Sequence, residues 1–516
     1  MRNSILRCLL LTICTIPAAR AVAQDAPPPA VKSTPENKTT LPPKATVPNA
    51  APHAGETLLF DPKAISLLTL PNGVRGVVRE TQGTGLVAVQ VWVRAGSRFE
   101  TTKNSGVSHL IETIAMNASK NYPRISGLGS GGSAGAIEGL GGTANSQTTR
   151  DAVNYSATVA AGFLPAAIRA LSDAALQPRL TDAEVENTKL DLEADVARRG
   201  ADAITATADL AYKSAFAKHP YRFPAGGSAD TVARLSGGAA RAFHAARYVG
   251  GNISVIIVGD VRRATANALI ARHFAAAKAG KTREAIALES TPLAFKNVTR
   301  KRPAARTALA LAFRAPGIAS PTDVIATDVL LSHWSEGRNA ALRRVLLGQG
   351  ANAVPGPDDP DAEETAENTN MPEPLALGFD VNFLTQRDPG LLMFSLVVEP
   401  DKKAEAAGAI LAEIGKVRAN GISPGDLARA KTALQRQYLE QSDTVSGQAG
   451  ALGFYEMIST YQFATSYLQR IERISNDDIK RMAGKYLAST AYVQVSIEPS
   501  PQPKSNPLGV DETVPA

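Results

Sequence analysis

Ser108-His109-Leu110-Ile111-Glu112-Thr113 puts an imidazole, a carboxylate and a hydroxyl within one short stretch of the chain. At about 100° per residue, positions 109, 112 and 113 fall on one face of a helix. With a second histidine at 113 the stretch would read H-x-x-E-H, whose two imidazoles can hold a zinc ion while the glutamate activates its water. Thr113 supplies only a short, weakly basic hydroxyl, which cannot stand in for an imidazole donor. The stretch therefore raises metal chemistry and withholds one of the groups that chemistry needs.

A second pair of carboxylates lies downstream. Glu186 and Glu193 are seven residues apart on a helix expected to begin at Thr181. Seven residues turn about 700°, so the two acids share one face to within about 20°. Val185, Leu192 and Val196 carry the apolar side of that helix. By themselves, two glutamates at this spacing describe a solvated helix face; their weight comes from pairing with His109 and Glu112.

The chain has 516 residues, 44% hydrophobic and 20% charged, so two domains are the default expectation. A basic start with Arg2 and Arg7, an apolar run from Cys8 to Ile16 and the small-x-small site Ala21-Val22-Ala23 predict a cleaved signal peptide over residues 1–23. That run is too short to span a bilayer as a helix. The expected location is outside the cytoplasm, in the periplasm. Both cysteines, Cys8 and Cys14, fall in the removable segment, so the mature chain would have no disulfide, thiolate metal site or cysteine nucleophile. Cleavage takes away three arginines and no acid, lowering the net charge from +7 to +4. No Lys/Arg block with interleaved aromatics is present, which argues against nucleic acid as a partner.

Residues 24–60 are rich in Pro and Ala and read as a linker, and residues 501–516 as a disordered tail. Between them two halves, 61–290 and 291–500, repeat one plan. Strand-like Leu86 to Ala95 matches Thr307 to Ala315. Asn154 to Val159 followed by a helix from Phe163 to Leu176 matches Leu392 to Val398 followed by Ala404 to Val417. Thr181…Glu184 and Ser423…Asp426 each place a hydroxyl cap three residues before an acid at a helix start. In this register Ala428 and Gln435 replace Glu186 and Glu193, so the carboxylate pair belongs to the first half only. The pattern predicts a duplicated α+β unit, each a mainly antiparallel sheet covered by helices.

Several pieces, in order, carry a resemblance: Leu70-Pro71-Asn72-Gly73, Val89 to Gly96, Gly106 to Glu112, Gly141-Gly142-Thr143-Ala144-Asn145-Ser146, Gln177-Pro178-Arg179, the Glu186 to Glu193 helix, His219-Pro220-Tyr221 and Tyr248 to Gly259. The region from about 66 to 274 resembles the N-terminal domain of the pitrilysin/insulinase/mitochondrial-processing-peptidase family of inverted-motif zinc metallopeptidases. Residues 300 to about 497 resemble that family's second, inactive domain. By position the resemblance makes His109 and Glu193 metal ligands, Glu112 the general base and Glu186 a supporting acid, with Thr113 in the place of the second histidine. It makes Asn145 part of an edge strand that aligns peptides by β-addition. Arg343 matches a substrate-positioning arginine, but the tyrosine expected seven residues on is Gly350.

The resemblance implies half of a clamshell completed by a second chain, as a heterodimer or homodimer, with zinc as the family's cofactor and peptides as substrates. The missing ligand makes a non-catalytic subunit, which helps bind and enclose peptides, the preferred expectation. An active zinc endopeptidase using His109, Glu193 and an unidentified third ligand is the alternative, and a peptide-binding scaffold with no peptidase partner is the third. No other histidine offers itself as the missing donor. His219 sits in a His-Pro-Tyr turn suited to structural duty, His244, His273 and His333 lie on predicted helices, and His53 lies in the linker. Gly127 to Gly135 satisfies G-x-G-x-x-G but follows no predicted strand, so it reads as a mobile loop rather than a nucleotide cradle.

Overall fold

The computed structural model describes residues 64–125, 131–281, 286–289, 293–337, 340–348 and 373–500. The expected signal peptide, linker and tail, together with His53, lie outside the described residues. The first unit contains β1 (Ile65–Thr69), β2 (Arg75–Glu80), β3 (Leu86–Val93), α1 (Val107–Asn117), α2 (Gly132–Glu138), β4 (Thr143–Thr148) and β5 (Val153–Ala160). It continues through α3 (Leu164–Leu176), α4 (Asp182–Ala201), α5 (Ala203–Ala215), α6 (Ala229–Ala233), α7 (Gly237–Arg247), β6 (Ile253–Gly259) and α8 (Arg263–Phe274). The second unit contains β7 (Lys296–Arg302), β8 (Thr307–Arg314), α9 (Pro321–Ser335), α10 (Ala341–Leu347), β9 (Gly378–Phe383), β10 (Leu391–Val398), α11 (Lys403–Asn420), α12 (Pro424–Gln441), α13 (Val445–Ile458) and, after further helices, β11 (Tyr492–Pro499).

The sheets run β1-β2-β6-β3-β5-β4 and β7-β11-β8-β10-β9. With β1 set aside, the two orders are the same, and among the described residues each contains one parallel pair, β2 with β6 and β7 with β11. Every other pairing is antiparallel. The duplicated α+β plan is thus present in topology as well as in sequence register. The two matched helix starts form as expected: the Thr181 side chain accepts from the Glu184 backbone N–H, and Ser423 from that of Asp426. Each cap satisfies a donor that the first helical turn leaves open.

The central strands are apolar on both faces, which requires both faces to be covered. On β3, Val87, Val89, Val91 and Val93 pack with the unit's own helices, whereas Ala88 and Trp92 join the core of the second unit. The covering element on that second face is α13, which meets β3 and β6. The exchange is reciprocal. Ala310 and Ala312 of β8 pack with Ala211, Tyr212 and Ala215 of α5 from the first unit. Each sheet is therefore sandwiched between its own helices and one helix lent by its sister.

Polar contacts fix this exchange. Trp92 Nε1 donates to Gln90 Oε1 at 2.9 Å, and Gln90 Nε2 donates to the Ser446 carbonyl at 3.2 Å. Arg94 closes the last turn of α13, its Nε and Nη2 each 3.0 Å from the Met457 and Glu456 carbonyls. A second junction is built on His219, which is 2% exposed. Its Nδ1 accepts from the Tyr221 backbone N–H at 3.1 Å, so the proton sits on Nε2, 2.9 Å from Asp388 of the second unit. Asp388 also accepts from Arg98 Nε at 2.7 Å, and Tyr221 donates its hydroxyl to Asp151 at 2.7 Å. The structural duty expected of the His-Pro-Tyr turn is what the contacts show: it joins the two units.

The glycine-rich stretch differs from its sequence reading. Gly127 to Ser130 lie outside the described residues, but from Gly132 the chain is helical as α2, not a loop. Gly132 has φ +65°, and a Cβ there would come within 2.4 Å of the Asn117 backbone at the end of α1. The glycine serves close backbone packing that a side chain would block, and Ala134, Ala136 and Ile137 then carry the helix.

Candidate functional site

The site residues on α1 stand where helix periodicity puts them. The helix start is fixed by Glu100, whose carboxylate accepts from the Gly106 and Ser108 backbone N–H groups at 2.8 and 2.9 Å. Burial pushes the Glu100 carboxyl up to about 7. Sequence reasoning passed over Glu100; an acid just upstream of a helix N-terminus was the available signal. One turn on, His109 Nδ1 donates to Glu112 at 2.8 Å. The Glu112 carboxylate also accepts from Ser146 and, at 3.0 Å, from Thr148, both on β4. Thr113 turns its hydroxyl back to the His109 carbonyl of its own helix at 3.0 Å.

The edge position expected of the strand holding Asn145 is observed: among the described residues β4 ends its sheet and pairs only with β5. The Asn145 carbonyl accepts from Ser156 at 3.2 Å, and Ser146 and Thr148 bind the strand to Glu112. An edge strand is the kind of element to which an extended chain can add.

The helix carrying the carboxylate pair presents a different acid to His109. Glu193 is exposed, and Glu186 is exposed and paired with Lys189 at 2.8 Å. The nearest α4 acid is Asp195, whose Oδ2 lies 3.9 Å from His109 Nε2. Two residues on the same helix explain the shift in face: Val185 and Leu192 are buried, so the inward stripe runs through 185, 188, 192, 195 and 199. That i+3/i+4 stripe was legible in the sequence, whereas the 186/193 pair lies one position round from it. Arg199 on the stripe donates to Asp209 at 3.0 Å. A Cβ at Gly226 would lie 2.7 Å from Arg199 Nη1 and 3.7 Å from His109 Cδ2, so both side chains pack under the same loop. Arg343 is half-buried on α10 of the second unit.

Burial works against protonation of His109, but the Glu112 hydrogen bond and the charges of Glu112 and Asp195 outweigh it and hold its pKa above the usual histidine value. The shift stabilises the protonated imidazole, the form with no lone pair for a metal. Among the described residues no three His, Cys, Asp or Glu side chains form a group that could hold a metal ion. The donor chemistry gives the reason. Glu112 is engaged by three donors, the Thr113 hydroxyl is spent on its own helix, and one imidazole remains opposite one carboxylate. Zinc held by proteins takes three or four such donors, so the residues present do not fit it.

The sequence matches the profile of insulinase (peptidase family M16) over residues 76–224 and that of the peptidase M16 inactive domain over 234–434. The zinc protease PqqE of Helicobacter pylori is 24% identical over 446 residues, spanning 84% of this chain and 92% of that protein. A protein of Arabidopsis thaliana named as a probable mitochondrial-processing peptidase subunit beta is 22% identical over 462 residues, 86% of this chain and 81% of that one. Among solved structures, a Helicobacter pylori protease superposes with a TM-score of 0.74 at 22% identity, covering 84% of this chain and 99% of that chain. A peptidase M16 inactive domain from Pseudomonas fluorescens gives 0.71 at 19% identity, covering 84% and 98%. With its duplicated sheets, its two consecutive profile matches and its incomplete inverted motif on α1, the chain belongs to the insulinase-type M16 peptidase family.

Proposed function

We propose that this protein is the non-catalytic subunit of an exported zinc metallopeptidase of the processing-peptidase type, helping a partner chain bind and enclose peptides. The observation that carries this reading is the state of position 113. Thr113 faces the helix backbone, and His109 and Glu112 are satisfied by each other and by β4. A second-shell change alone lowers metal affinity about 10–100-fold, so loss of a first-shell imidazole costs more. The partner is a chain of the same family with an intact H-x-x-E-H. The edge strand β4 is the element of this chain that would take an extended peptide. Export rests on the basic, apolar and small-residue segments of residues 1–23. A processing-peptidase subunit among the relatives is consistent with a chain that works in a pair.

The names of the zinc-protease relatives favour a second reading, an active endopeptidase with Glu112 as base. Glu112→Gln separates the two. The chain is co-expressed with an H-x-x-E-H chain of the family from the same organism, and cleavage of a casein-derived peptide library is followed. The subunit reading expects activity that depends on the partner's glutamate and survives Glu112→Gln here at no less than about half the original rate. Abolition of cleavage by Glu112→Gln with the partner left intact would show that this chain supplies the base.

A further inference from the structure

The second unit contains a cleft that the site on α1 does not involve. It lies between the C-terminal end of α9 and one face of α12, with a volume of 520 Å³. A neighbouring cleft of 350 Å³, bounded by α10, α11 and the start of α12, shares His333 and Asp426 with it. Small residues leave the space open: Ala430 and Ala433 on α12 face Ala340 across it.

A row of small side chains would make only a gap, but buried polar groups line this one. Ser332 is 4% exposed, and its hydroxyl has no hydrogen-bond partner among the described residues. A buried hydroxyl without a partner is costly, and a bound group that pairs with it removes the cost. His333 stands beside it, half-buried. Burial lowers its pKa despite the facing Asp426 and Glu413 carboxylates, with Arg344 and Arg429 acting in the same direction as burial. It therefore offers one N–H donor and one acceptor nitrogen at neutral pH.

The charges around the mouth come in opposite pairs. Arg436 Nη2 and Glu336 Oε2 face each other at 3.9 Å, beyond hydrogen-bond reach. The other side of Arg436 meets Glu440 at 2.6 Å. Arg429 pairs with Asp426 on the same rim, and both arginines are more than half exposed, at 64% and 56%. Among the residues that line the cleft, two guanidinium groups match the Glu336 and Asp426 carboxylates, and Glu440, from outside the lining, shares Arg436.

We propose that this cleft binds a small zwitterion of amino-acid or dipeptide size. Its carboxylate meets Arg429 and Arg436, its ammonium meets Glu336 and Asp426, its side chain rests on Ala430 and Ala433, and Ser332 and His333 bond its polar interior. The volume suits a ligand of this class, whose pockets run from about 300 to 1,000 Å³. A simple anion would confront two carboxylates, and an apolar molecule would leave the buried Ser332 hydroxyl without a partner.

The test is calorimetric titration of the full chain with L-alanyl-L-alanine, its N-acetylated form and its C-amidated form. Saturable binding of the free dipeptide is expected, at least tenfold weaker when either end is blocked. Ser332→Ala and Ala433→Leu, the second of which fills the floor, are each expected to weaken binding at least tenfold in chains whose thermal melts match the wild type. Should Ala433→Leu fail to fold, Ser332→Ala decides by itself. No binding at millimolar dipeptide, or binding indifferent to the end groups or to Ser332→Ala, overturns the proposal.

Discussion

Asp388→Ala is expected to destabilise the protein by about 3–5 kcal/mol at neutral pH, the range for breaking a buried ion pair by removing one partner. Arg98 is 4% exposed and directs both its Nε and its Nη2 at the Asp388 carboxylate at 2.7 Å. The next carboxylate, Asp151, is 3.7 Å away and already accepts from Tyr221. Truncation leaves a buried guanidinium with a poorer partner and strands the His219 Nε2–H. Because Asp388 belongs to the second unit and Arg98 and His219 to the first, the loss should appear as a weaker junction between sheets. Burial opposes ionisation of Asp388, but the hydrogen bonds from His219 and Arg98 and the Arg98 charge more than offset it and hold its pKa below the usual aspartate range. A depressed carboxyl pKa stabilises above the unfolded value and is lost as pH falls through the folded one. The difference between wild type and Asp388→Ala in urea unfolding should therefore be full at pH 7 and shrink below about pH 4. A difference under about 1 kcal/mol at pH 7 would mean that the network does not hold the units together.

Gly453→Ala should cost about 1–3 kcal/mol, the range for overpacking a filled core. A Cβ at 453 would stand 2.0 Å from Trp92 Nε1, and Trp92, 1% exposed, has no room to turn aside. The displaced indole would also lose its hydrogen bond to Gln90. Trp92→Phe removes the colliding edge, so the double variant should lose less than the sum of the two single changes. Chemical denaturation of the four proteins measures that coupling. Additive losses would place the strain away from this contact.

These two contacts mark the limit of what the sequence discloses. The strands and helices were legible where the pattern is local. Strand-like Leu86 to Ala95 contains β3, the Thr181 and Ser423 caps open α4 and α12, and the matched strand–helix pairs became β5–α3 and β10–α11. The exchange of α5 and α13 between sheets was not legible, because a helix's apolar stripe does not say which sheet it covers. The same distinction runs through the site. One turn of helix determined that His109, Glu112 and Thr113 share a face, whereas the partner across the gap depended on how α4 is rotated about its axis. Burial of Val185 and Leu192 sets that rotation, turning Asp195 inward and leaving Glu193 at the surface.

By itself, this chain is expected not to hold zinc stoichiometrically. Elemental analysis of the purified full chain after dialysis against buffer with micromolar zinc, with His109→Ala and Thr113→His prepared in parallel, measures this. Far less than one zinc per chain, no further drop in His109→Ala, and more than tenfold tighter zinc binding in Thr113→His are expected. Close to one zinc per wild-type chain, abolished by His109→Ala, would contradict that expectation.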